Sequence, residues 1–141
     1  LDEMEHAIRQ HAGPMPGVHT SLQYLKNKGY RIALASSSAI RLIQATVDKL
    51  QIREYFELLV SAEHETYGKP HPAVFLRTAE TLQISPAHCL VIEDSLNGVI
   101  AAKAAKMKCL VVPDKEHASD PRFLIADYRL SSLEELRTLH L

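Results

Sequence analysis

No stretch of this sequence holds the ~20 consecutive apolar residues that a membrane-spanning helix needs, and no signal-peptide pattern opens it. Charge of one sign is missing as well. Sixteen Lys and Arg face seventeen Asp and Glu, so the whole-chain field recruits neither nucleic acid nor an anionic membrane. Cysteine is scarce: Cys89 and Cys109 each head an apolar run and read as buried, reduced thiols of a cytoplasmic protein, not as a disulfide or metal site. The eight histidines include no pair at the helical i, i+4 spacing of a zinc site. Five scattered tyrosines, Tyr24, Tyr30, Tyr55, Tyr67 and Tyr128, build no stacking platform for single-stranded nucleic acid. Repeats and low-complexity tracts are absent too.

What is present is an ordinary globular composition, 46% hydrophobic over 141 residues, enough for one domain with a real core. Residues 1–10 read as helix, broken at once by Gly13, Pro14, Pro16 and Gly17, so this segment reads as a tail leading into a hinge. Val18, Leu22 and Leu25 then recur at helical spacing up to a stop at Gly29. Apolar runs at Ile32–Ala35, Leu58–Val60, Leu90–Ile92 and Cys109–Val112, with a short one near Asp127–Leu130, read as strands. Those at Ile32 and Leu90 are continuous enough to be buried on both faces. Helices fall between them, and Ser131-Ser132-Leu133-Glu134-Glu135 offers a capping box for a last one. Strands alternating with helices of ten to twelve residues imply an α/β fold, a parallel sheet with helices on both faces.

Chemistry-bearing residues collect where such a sheet binds ligands, at strand C-termini or just after. Ser36 and Ser37 follow the Ile32–Ala35 candidate, Lys69 lies in the polar loop after Leu58–Val60, and Glu93 with Asp94 closes Leu90–Ile92. Adjacent carboxylates repel, and Mg²⁺, satisfied by one or two carboxylates plus phosphate oxygens and water, would offset them. A hydroxyl and a lysine bind phosphoryl oxygens, so the set suits phosphoryl transfer. Each residue also has a plainer reading. Glu93 and Asp94 can be a polar strand end with Asp94 or Ser95 as N-cap, Ser36 a helix cap, and Lys69 a solvated loop charge.

The order and spacing of these clusters resemble the haloacid dehalogenase superfamily of hydrolases, in the subfamily that includes β-phosphoglucomutase. Ala35-Ser36-Ser37-Ser38 looks like the family's second motif, Gly68-Lys69-Pro70-His71-Pro72 its third, and Val91-Ile92-Glu93-Asp94-Ser95-x-x-Gly98 its fourth. Pro16-Gly17-Val18 matches the usual exit from the cap domain. The run from Asp120-Pro121-Arg122-Phe123 to Ser131-Ser132-Leu133 looks most like the subgroup of bacterial hexitol and 2-deoxyglucose-6-phosphate phosphatases.

The resemblance implies a Rossmann-like core over 16–141, with 1–15 as the tail of a helical cap and its hinge. It implies an Mg²⁺-dependent phosphatase of small phosphorylated sugars or sugar alcohols. Ser36 and Ser37 would bind the phosphoryl group, Lys69 would act on it and on the nucleophile, and Asp94 with Glu93 would hold the metal. A phosphomutase and a non-catalytic phosphate- or metal-binding module remain as alternatives. The family's first motif, Asp-x-Asp, has no counterpart: among Asp2, Asp48, Asp94, Asp114, Asp120 and Asp127 no two are separated by one residue. The aspartyl nucleophile therefore has no candidate here. The sequence reads as a fragment lacking the central strand and most of the cap, to be completed by the N-terminal segment or by another chain.

Overall fold

The computed structural model describes residues 2–11 and 16–141. Five α-helices and five strands follow one another along them, alternating from α2 to β4: α1 (Asp2–His11), α2 (Val18–Asn27), β1 (Ala33–Ser36), α3 (Ile40–Lys49), β2 (Leu58–Ser61), α4 (Ala73–Leu82), β3 (Leu90–Glu93), α5 (Leu96–Ala104), β4 (Lys108–Val111) and β5 (Tyr128–Arg129). Every strand pairing is parallel, as alternating strands and helices require. The break expected at Gly13 and Pro14 lies outside the described residues.

Two compact units result. The first comprises the described residues of Leu1–His64 with Leu133–Leu141. Its sheet pairs β1 with β2, Ser36 lying opposite Ser61, and α3 covers it with Leu42, Ile43, Ala45 and Val47. Helix α1 lies against α3 and is tied to it by Arg41 and Glu5 at 2.7 Å. Gly17 precedes α2 with φ +87°, and an added Cβ would meet the backbone of Leu133 and Glu134. A larger residue fails there both in conformation and in space. The buried Ser21 donates from Oγ to the Leu133 carbonyl at 3.1 Å, so the C-terminal segment is held against α2. That segment is a 3₁₀ helix, Leu133–Thr138, where the capping box predicts an α-helix; its first residues are fixed by Gly17 and Ser21 instead.

The second unit, Glu65–Ser132, holds the sheet β3-β4-β5. Its core is Val99, Ala101 and Ala102 of α5 against Cys109, Leu110 and Val111 of β4. The small residues bring α5 close to the sheet. Asp127 fixes the last strand: its Oδ2 accepts from the Cys109 N–H at 2.8 Å and from Lys103 Nζ at 2.7 Å.

Strands β1 and β3 differ from expectation. Neither is buried on both faces; all four residues of β1 are half-buried, and Ile92 in β3 is exposed. Each has one ladder partner among the described residues, β2 and β4 respectively.

Candidate functional site

The end of β3 is where the second unit concentrates its polar contacts. Ser95 caps α5, its Oγ accepting from the Gly98 N–H at 3.1 Å. Just before it, the Glu93 carboxylate folds back over the first turn. Its Oε2 accepts from the Asp94 N–H and from Ser95 Oγ, each at 3.3 Å, and its Oε1 takes Lys69 Nζ at 2.5 Å. Side-chain exposure is 11% for Lys69 and 10% for Glu93, so this pair is largely withdrawn from water. The ammonium also lies 4.7 Å from the centroid of the buried Phe75 ring, which adds a cation–π contact. Lys69 is thus not a solvated loop charge.

Gly98 makes this arrangement possible. A Cβ there would fall on the Glu93 carboxylate, well inside van der Waals contact. The helix contributes its own first-turn backbone as the floor under Glu93. Asp94 is different: its carboxylate is exposed and accepts no hydrogen bond from the described residues. At one strand end, then, one carboxylate is committed to a lysine and its neighbour is open to solvent.

Ser36 is the last residue of β1, in the first unit. Its Oγ accepts the Ser38 N–H at 3.1 Å, closing a tight turn, while Ser61 Oγ donates to the Ser38 carbonyl at 2.6 Å. Ser37 is exposed. The helix that follows is not capped by any of these serines. Glu63, beyond β2, accepts from the Ile40 N–H at 3.2 Å and does that work. Beside Ser36 lies a cleft of about 280 Å³, lined mainly by Leu34, Leu42, Ile43 and Met4.

Among the described residues no three His, Cys, Asp or Glu side chains converge into a metal cage. The donor set suits a cation that brings its own water and phosphate ligands, since Asp94 offers a free carboxylate oxygen pair. The thiols are poor nucleophiles. Burial, then the nearby Glu93 and Asp127 charges, push Cys109 up to about 12, and burial also raises Cys89, which is only half-buried and not the buried thiol its sequence suggests.

Sequence reasoning identified Lys69, Glu93 and Asp94 but not the bond between the first two, nor the role of Gly98. The only available signal was a glycine five residues after Glu93, in the first turn of the next helix. Lys69 and Glu93, 24 positions apart, are brought together; Ser36 and Ser37 belong to the other unit.

Comparison with known proteins finds relatives of most of the chain. Hexitol phosphatase B of Escherichia coli (strain K12) is 43% identical over 122 residues, 86% of this chain and 55% of that protein. A phosphorylated carbohydrates phosphatase of Thermotoga maritima is 37% identical over 90 residues, 64% of this chain and 42% of that protein. The chain therefore spans about half the length of the curated relatives it matches. The crystal structure of CbbY from Rhodobacter sphaeroides in complex with phosphate superposes with a TM-score of 0.83 at 27% identity, over 94% of this chain and 60% of that one. Residues 2–106 match the family model of the haloacid dehalogenase-like hydrolases. A parallel α/β core, a lysine clamped to the acidic end of a strand and that match over most of its length place this chain among the haloacid dehalogenase-like hydrolases.

Proposed function

We propose that the chain supplies the phosphate- and metal-binding parts of an Mg²⁺-dependent phosphatase acting on small phosphorylated sugars or sugar alcohols. The observation that carries this reading is the asymmetric strand end: a withdrawn Lys69–Glu93 pair beside an open Asp94. Lys69 presents positive charge where a phosphoryl group accumulates negative charge, and its Glu93 partner and the Phe75 ring hold it in place before any ligand arrives. Asp94 would hold Mg²⁺, with Glu93 supporting the cluster through the Asp94 N–H; bound there, the metal would neutralise phosphoryl oxygens. Ser36 Oγ has a donor proton left over after accepting from Ser38, and with the Ser37 N–H it suits a phosphoryl oxygen. The names of the hexitol phosphatase and the phosphorylated carbohydrates phosphatase support the substrate class.

The nucleophile would come from an Asp-x-Asp segment that these 141 residues do not contain. The test is phosphate release from a hexitol phosphate with Mg²⁺. The chain alone should release none, and addition of a polypeptide carrying the Asp-x-Asp strand should start hydrolysis. Hydrolysis by the chain alone would contradict the missing-nucleophile reading; none after addition would contradict the phosphatase.

A further inference from the structure

The turn after β1, on which Ser36 and Ser37 stand, is held largely from outside its own segment. Within it, Ser36 Oγ accepts the Ser38 N–H, and Ala39 at the N-cap of α3 supplies no side-chain bond. The exit of the neighbouring strand β2 supplies three more contacts. The Ala62 N–H donates to the Ser36 carbonyl at 2.8 Å. Ser61 Oγ donates to the Ser38 carbonyl at 2.6 Å and accepts the Glu63 N–H at 3.1 Å. Glu63 Oε1 in turn accepts the Ile40 N–H at 3.2 Å. Residues 36, 38 and 40 are thus pinned by one strand exit, and Ser37 stands exposed between two of them. A carboxylate suits the Ile40 position, since the first N–H groups of α3 carry partial positive charge. A phosphoryl group at Ser36 is an anion too, so the charge of Glu63 opposes binding there and only its hydrogen bond can favour it.

We infer that Ser61 and Glu63 are positioning residues for phosphate binding at the end of β1. They act through the turn and not on the ligand. The Ser36 hydroxyl can rotate, but the Ser37 N–H is fixed to the backbone, so the two meet one phosphoryl group only if the turn already has the right shape. A turn shaped beforehand loses little conformational entropy when the ligand arrives, and its donors need no reorganisation. Ser61 links both halves of the brace, because its single hydroxyl donates to the turn and accepts from the residue that caps α3.

This inference rests on the reading that puts phosphate at Ser36, and its test separates the two. Dissociation constants of inorganic phosphate would be measured by NMR titration for the wild-type chain, Ser36→Ala, Ser61→Ala, Glu63→Ala and Glu63→Gln, at a temperature where melting curves show each folded. Ser36→Ala should weaken phosphate about tenfold. Ser61→Ala and Glu63→Ala, which leave Ser36 in place, should each weaken it about fivefold, the scale of one hydrogen bond. Glu63→Gln keeps an acceptor for the Ile40 N–H without the charge, so it should bind at least as tightly as wild type. A merely structural role would lower melting temperature and leave these constants alone. If Ser36→Ala weakens phosphate while Ser61→Ala and Glu63→Ala stay within about twofold, the positioning role is wrong and the phosphate reading stands. Tighter binding by Glu63→Ala, the result of removing a repelling charge alone, also overturns it, as does a Glu63→Gln chain as weak as Glu63→Ala. If the wild-type chain binds no phosphate, or Ser36→Ala changes nothing, both are wrong.

Discussion

The C-terminal ends of β1 and β3 carry the same kind of polar sequence and are built differently. At β3, Glu93 is one-tenth exposed and takes donors from Lys69, Ser95 and the Asp94 backbone, so its bonds are made within the unit. At β1, Ser36 is half-buried and accepts one backbone N–H, while Ser37 and Ser38 face solvent. Chain contacts fix the position of a charge at β3; at β1 they fix only a turn. A charge must be pre-positioned because desolvating it late is costly, whereas a hydroxyl can rotate to meet its ligand.

That contrast orders the expected effects of substitution. Removing Glu93 as Glu93→Ala strands the Lys69 ammonium away from water, and loss of one partner of a buried pair costs about 3–5 kcal/mol. Urea denaturation should show a loss near the lower end, since about a tenth of each side chain remains exposed. Gly98→Ala is next: its Cβ overlaps the Glu93 carboxylate, and overpacking of this kind costs about 1–3 kcal/mol. Helix propensity alone favours alanine there, so a stabilised variant would mean that Glu93 moves freely.

The third effect appears only in acid. Asp127 is held below its usual value of 3.8 by its hydrogen bond from Lys103, and also by the Cys109 N–H. A depressed carboxylate contributes stability above pH 3.8 and loses it as pH falls through the lower folded value. Melting temperature should therefore fall below about pH 4, and Asp127→Asn should remove that part of the slope. The smallest effect is Ser36→Ala. It loses one bond at a half-exposed turn, about 1 kcal/mol or less, and should lower phosphate affinity more visibly than stability.

Much of this was legible in the sequence because it is local. Five strands, the helices between them and the Ser95 cap all follow from short-range pattern and capping chemistry. Lys69 and Glu93 stood out by residue type and place, but their bond joins positions 24 apart and depends on Gly98 leaving room, which no linear pattern encodes. The burial of β1 and β3 was overstated because an apolar run reports what a strand can bury, not whether a neighbour covers it. The last helix was misjudged because Leu133 and Glu134 are held by Gly17 and Ser21, more than a hundred residues away. For the same reason the cap of α3 came from Glu63, across a strand, while three serines stood nearer in sequence.

The division of labour between two adjacent carboxylates is the point on which the rest depends. Mg²⁺ affinity in the presence of inorganic phosphate, measured by calorimetry for Asp94→Asn and Glu93→Gln, tests it most directly. An open Asp94 and a Glu93 committed to Lys69 predict that Asp94→Asn weakens Mg²⁺ about tenfold or more, a loss above about 1.4 kcal/mol, with stability unchanged. Glu93→Gln should lower stability and leave Mg²⁺ within a few-fold. The reverse pattern, metal lost with Glu93→Gln and kept with Asp94→Asn, would contradict it.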